Sequence, residues 1–280
     1  MLKQVLFKTI LSIITLPIVI GCNNSEENKM SDQTNIIFLH HSTGKRIWRG
    51  DVSKIANTLG FNGDVSKWFE KYNEKTGKNY IISETNFPKE SPYGWRNYPY
   101  DYYNIWVKNA GNKPFKEEPT LEILTAKYDV IIFKHCFPVS NIKPNESTAD
   151  INSELKTLDN YKLQYNALKE KMLQFPDSKF IIWTPTAQVE RKTNKEEAGR
   201  ANEFSEWVKT EWDVKGDNIY LWDFRALQVE GTSFFKNEYA DSPTDSHPNE
   251  KFSHLIAPYF CKRVVDIIED KGDSSSLTGN

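Results

Sequence analysis

The 280-residue chain carries 38% hydrophobic and 26% charged residues, enough for one substantial core and too little length for two full domains. Its formal net charge of −2 excludes a global field that would draw it onto nucleic acid or an anionic membrane surface. Eight tryptophans and thirteen tyrosines exceed what such a core requires, so some are expected on a surface or in a cleft.

The N-terminus reads as a separate object. Lys3 and Lys8 give a basic start, and Ile10 to Ile20 is an apolar run broken only by Ser12, Thr15 and Pro17. The run is short for a spanning helix and ends in Val19-Ile20-Gly21-Cys22, after which the chain turns polar at once. This order resembles the leader of bacterial lipoproteins. The resemblance implies that residues 1–21 are a signal peptide and that Cys22 receives a diacylglycerol. It also implies that the protein is held in the cell envelope through that lipid, at roughly 0.8 kcal/mol per buried CH₂. Ser25-Glu26-Glu27 resembles the acidic tag that sends some lipoproteins to the outer face of an outer membrane. Residues 22–34 are a polar tether with no apolar period.

The body, 35–270, alternates strand and helix. Asn35-Ile36-Ile37-Phe38-Leu39-His40, Tyr128 to Phe133, Lys179 to Trp183 and Asn218 to Trp222 are short apolar runs of the kind found in buried parallel strands. Between them lie helical periods. Tyr161, Leu163, Tyr165, Leu168, Met172 and Leu173 share a face, as do Ala198, Ala201, Phe204, Trp207, Val208 and Trp212, and then Phe252, Leu255, Ile256, Phe260, Val264 and Ile268. The pattern predicts an α/β fold with a parallel sheet and helices on both faces. Residues 61–107 fit this alternation poorly and read as an irregular aromatic insertion, either packed on its own rings or forming a cleft wall. The tail 271–280 is disordered by composition. Cys136 and Cys261 remain after Cys22, and a domain of this size needs no disulfide.

In parallel α/β sheets reactive groups gather at the carboxyl ends of the strands. The first strand runs directly into His40-His41-Ser42-Thr43-Gly44, which places a serine at such an end, followed by a turn-permitting glycine. Ser-Thr-Gly alone carries little information. Far along the chain, Ser242-Pro243-Thr244-Asp245-Ser246-His247-Pro248 forms a loop before the last helix and supplies a histidine with nearby carboxylates. A serine needs a base to take its proton, and the base needs a third group to fix its tautomer.

Together these blocks resemble the SGNH (GDSL-like) hydrolases, from Ile36 to about Ile268, in element order as well as motif. The resemblance implies a three-layer αβα, flavodoxin-like fold and ester hydrolysis through an acyl-serine, with Ser42 as nucleophile and His247 as general base. Asp245 is the favoured acid and Asp241 the reserve, because the family's usual place three residues before the histidine holds Thr244. Gly111, in Asn109-Ala110-Gly111, is the expected backbone oxyanion donor. The family's Gly-x-Asn-Asp block is absent; Lys134-His135-Cys136-Phe137-Pro138 stands there, leaving Asn141 as the side-chain donor. His40 is expected in the core and His41 behind the nucleophile. His135-Cys136 is a competing nucleophile pair whose side chains should point to opposite faces. No metal or cofactor is expected. The expected substrate is an O-acetyl or other O-acyl ester on a glycan or related molecule, and a glycan-binding lipoprotein without turnover is the alternative.

Overall fold

A computed structural model describes residues 33–52, 62–94, 96–145 and 148–280; the leader, Cys22 and the tether up to residue 32 lie outside them. The first apolar run forms β1 (Thr34–His40), and α1 (Ser42–Arg49) begins after the single residue His41. Next come α2 (Asp64–Thr76) and β2 (Tyr80–Asn86). The aromatic segment contains α3 (Pro99–Tyr103), continued as a π-type turn over Asn104–Lys108, and α4 (Leu121–Thr125) leads to β3 (Val130–Phe133). The remaining elements are α5 (Leu158–Met172), β4 (Lys179–Trp183), α6 (Lys195–Trp207), β5 (Ile219–Trp222) and α7 (Phe224–Val229). A hairpin of β6 (Ala240–Ser242) and β7 (Asp245–Pro248) precedes α8 (Glu250–Ile268).

The five long strands form one parallel sheet in the order β2-β1-β3-β4-β5. Strand alternation sends Ile36 and Phe38 to one face, where they pack with Ile47, Phe69, Ile256 and Phe260 of α1, α2 and α8. Ile37 and Leu39 go to the other face, against Tyr102, Tyr161, Tyr165 and Phe204 of α3, α5 and α6. The result is the expected three-layer α/β architecture. The chain leaves β1 for one side of the sheet and returns for β3 on the other, so the end of β1 lies at the point where strand order reverses. Crevices in open α/β sheets form at such points.

Three expectations change. Residues 61–107 are not one irregular insertion, because α2 and β2 lie within them. β2 hides from a search for continuous apolar runs because it is an edge strand among the described residues, pairing with β1 on one side and exposing Ile81 to solvent. The aromatic rings of this segment are core: Tyr93, Tyr98, Tyr102, Tyr103 and Trp106 are all buried. The tail is packed rather than disordered. Asp273 Oδ2 accepts from Gly216 N at 2.8 Å, Leu277 O from Asp223 N at 2.8 Å, and Thr278 O from Trp222 Nε1 at 2.9 Å. These contacts lay the tail along β5. Buried Arg263 joins it by donating to Gly272 O at 2.6 Å and Ser275 Oγ at 2.7 Å. Among the described residues no helix is long and apolar enough to cross a membrane, and Cys136 and Cys261 are both free thiols.

Candidate active site

Ser42 is the first residue of α1 and is exposed at the carboxyl end of β1. The first intrahelical hydrogen bond runs from Lys45 N to His41 O at 2.9 Å, so the amides of Ser42, Thr43 and Gly44 belong to the unsatisfied first turn. Such amides can face a developing negative charge.

Gly44 makes this tight start possible. A Cβ at that position would overlap the Cβ and ring of His40, which is itself buried with its ring centroid 4.4 Å from that of Phe38. Gly44→Ala is therefore expected to destabilise the domain by about 1–3 kcal/mol. Thermal denaturation should show Tm lower by roughly 2–10 °C, and an unchanged Tm would remove this explanation of the glycine.

The second half of the site stands on β7. His247 Nε2 lies 2.8 Å from Ser42 Oγ, and His247 Nδ1 lies 2.6 Å from Asp245 Oδ1. The same carboxylate oxygen accepts from the His247 backbone amide at 3.0 Å. The expected loop is in fact a short strand, which explains the spacing: residues two apart on a strand point to one face. An acid two residues before the histidine can thus do what a loop achieves at another spacing. Burial pushes the Asp245 carboxyl up, but hydrogen bonds from the His247 amide and ring outweigh it and hold the group below its ordinary range. The Phe137 ring stands edge-on to the imidazole with centroids 5.4 Å apart, closing one side of it. Asp241 is engaged elsewhere, in a close ion pair with Arg46.

Two cavities meet at the serine. One, of about 750 Å³, is lined by His41, Ser42, Lys45, Glu84, Thr85, Asn86 and Lys89. The other, of about 450 Å³, is lined by Ser42, Lys45, Arg46, Arg49, Asp245, His247 and Glu250. The described residues of both walls are polar or charged.

The structure does not bring the two expected oxyanion residues to these walls. The Gly111 carbonyl accepts from Thr120 Oγ1 at 2.6 Å, and the Asn141 side chain pairs with Gln188 at 2.6 Å. The competing nucleophile pair is also separated. The His135 ring sits among Tyr102 and Tyr165, with centroids at 4.6 and 5.5 Å, whereas Cys136 Sγ meets Lys134 Nζ at 3.6 Å. Burial, and secondarily Lys134, draws the His135 pKa to about 3, so the ring is neutral at neutral pH. Burial likewise draws His41 to about 4, and its Nε2 donates to Pro88 O at 2.6 Å, which makes it a strut rather than a base. One group of metal-ligand type occurs among the described residues, formed by Asp51, Asp64 and His254. There His254 Nδ1 contacts Asp64 at 2.7 Å and Asp51 at 3.5 Å, and these pairs tie α8 to α2 and to the turn after α1.

No family model and no curated protein matches the chain. Solved structures do. The fold is similar to that of the lipase Lip_vut3 from a goat rumen metagenome, at 13% identity and a TM-score of 0.51, covering 86% of this chain and 98% of the lipase. BT4096, a gut microbial diltiazem-metabolizing enzyme, matches at 12% identity and a TM-score of 0.46, over 86% of this chain and 47% of its own. Likeness to the lipase at this identity shows a shared α/β fold alone.

Sequence reasoning missed Asn86, Glu84 and Lys89, which bring the end of β2 to the serine. Asn86 is the register partner of His40 across β1 and β2. Recognising β2 as an edge strand would have pointed to them, since its carboxyl end must then lie beside that of β1.

Proposed function

We propose that this protein is a serine ester hydrolase of SGNH type, with Ser42 as nucleophile, His247 as general base and acid, and Asp245 as its orienting carboxylate. The observation that carries the reading is the unbroken chain from Asp245 Oδ1 through both imidazole nitrogens to Ser42 Oγ, at 2.6 and 2.8 Å. Both contacts are within catalytic hydrogen-bond reach. His247 takes the Ser42 proton as Oγ attacks the ester carbonyl, and the imidazolium so formed is stabilised by Asp245. The tetrahedral oxyanion meets the Ser42 amide and the positive end of α1, with the Asn86 side chain as a second donor on the wall. His247 then returns the proton to the leaving alcohol. Water repeats the cycle on the acyl-serine.

The substrate is a short O-acyl group, acetyl above all, on a glycan or a related polar carrier. Support comes from walls that offer hydrogen-bonding and charged side chains around the serine. The buried tyrosines of the aromatic segment no longer contribute to this reading. Fold similarity to a lipase agrees with ester cleavage in general. A fluorophosphonate probe should label the mature domain at the peptide containing Ser42; glycan binding with no label and no turnover would favour the binding protein instead.

The resemblance of residues 1–22 to a lipoprotein leader supports a place in the bacterial cell envelope, held by lipid on Cys22. Cells fed radioactive palmitate should yield a labelled protein, and Cys22→Ala should abolish the label. A labelled Cys22→Ala protein would sink the anchor assignment.

A further inference from the structure

Ser42, Lys45, Arg46 and Arg49 form one stripe along α1, and all four line the smaller of the two cavities at the nucleophile. Most of the charge around them is already matched. Lys45 forms a close ion pair with Glu84, Arg46 forms another with Asp241, and Asp245 is held by His247. Arg49 is different. Its side chain is buried, yet the one polar contact of its guanidinium among the described residues is an ion pair from Nη2 to the exposed Glu250, at 3.5 Å. Its Nε is buried and makes no hydrogen bond.

A guanidinium carries five N–H donors and no acceptor, and burying it without partners is costly. The other two buried arginines among the described residues meet that demand within the protein. Arg225 donates to Asn202 Oδ1 at 2.9 and 2.6 Å and to the carbonyls of Pro185 and Thr186 at 3.3 and 3.2 Å. Arg263 donates to Leu221 O, Gly272 O and Ser275 Oγ at 2.8, 2.6 and 2.7 Å. Those two side chains fasten the fold. Arg49 fastens no carbonyl or side-chain amide, and it lines the cavity that holds the nucleophile and its base.

We propose that Arg49 sets specificity by binding a carboxylate on the carrier, so that the substrate is an O-acylated acidic glycan, of the oligouronate kind, rather than a neutral one. The proposal rests on the Ser42 reading for the site of ester cleavage but not for the binding itself. A flat guanidinium matches a carboxylate through two parallel hydrogen bonds, which the point charge of a lysine does not reproduce. Helix geometry also sets the spacing. Seven residues make two turns, so Arg49 lies on the Ser42 side of α1, about 10 Å along the axis from the nucleophile. The carboxylate therefore belongs to a sugar unit beyond the acylated one. Once bound, it exchanges a long contact with an exposed acid for a bidentate one.

The probes are chemically acetylated oligoglucuronate and oligoglucose of equal length, which differ only in the carboxylate. The mature domain should hydrolyse the acidic oligomer with a kcat/KM roughly 10–100-fold higher, the range of a charge-assisted hydrogen-bonded pair. Arg49→Met, which keeps an apolar stem, should bring that ratio close to one. Arg49→Lys should lose most of it, because the charge stays and the fork goes. A wild-type ratio near one, or an undiminished ratio in both variants, would overturn the proposal. Should neither variant fold, wild type still decides. Unacetylated oligoglucuronate should inhibit hydrolysis of para-nitrophenyl acetate at fixed ionic strength more strongly than oligoglucose does, and equal inhibition would count against Arg49. A Ser42→Ala protein as active as wild type would remove the Ser42 reading alone. Calorimetry on that same variant still tests Arg49: tighter binding of oligoglucuronate than of oligoglucose supports it, and equal binding ends it.

Discussion

Alanine at Ser42 should cut kcat on an activated acyl ester such as para-nitrophenyl acetate by about 10⁴-fold or more. The expectation follows from what the side chain does in the structure. Its Oγ is the only atom lost, it is exposed, and its recorded partner is His247 Nε2 at 2.8 Å. No packing is removed, and alanine suits the first turn of a helix at least as well as serine. Stability should therefore stay within about 0.5 kcal/mol of wild type, which separates loss of chemistry from loss of fold. Equal rates in the two proteins would end the Ser42 assignment, and a folded but inactive variant would support it.

Asp245→Asn is expected to cost nearly as much, about 10³–10⁴-fold in kcat. Asp245 Oδ1 accepts from Nδ1, which leaves the Nε2 lone pair directed at the serine proton. An asparagine can turn its amide hydrogen toward Nδ1, which puts the ring hydrogen on Nε2 and removes the base. Asp241→Asn serves as the comparison, because Asp241 is bound to Arg46 rather than to His247. Its kcat should remain within about threefold of wild type, in the range of a partly exposed ion pair worth about 0–1 kcal/mol. If the Asp241 variant were the more damaged of the two, the acid would have to be reassigned.

Much of this site was legible because two separate signals converge at one sheet edge. Ser42 follows an unmistakable buried strand, and His247 precedes an equally clear apolar helix; topology then joins them over 205 positions of chain. What was not legible depended on elements without a strong apolar period. β2 is half exposed and rich in Ser83, Glu84, Thr85 and Asn86 at its carboxyl end, so its contribution of Glu84 and Asn86 to the site went unseen. The family's spacing did not apply here, and the favoured Asp245 pairs with His247 because both sit on a strand and need only two residues to share a face. Gly111 and Asn141 were assigned by the family's block order, but the Gly111 carbonyl bound to Thr120 and the Asn141 side chain bound to Gln188 answer to local packing instead. The tyrosines illustrate a different limit. Composition shows an excess of rings but not which way they face, and Tyr98, Tyr102 and Trp106 turned inward.

The packed tail gives the sheet two edges of opposite character. On the β2 side the border is short of apolar groups toward its end and meets water directly. On the β5 side the border is covered by the chain's own last residues, fastened through Asp273, Leu277 and Thr278. An uncovered strand edge is a template for pairing with another molecule. The tail thus belongs to the packed fold beside that border. Anyone fusing a tag or partner to the C-terminus is attaching it to a working part of the sheet.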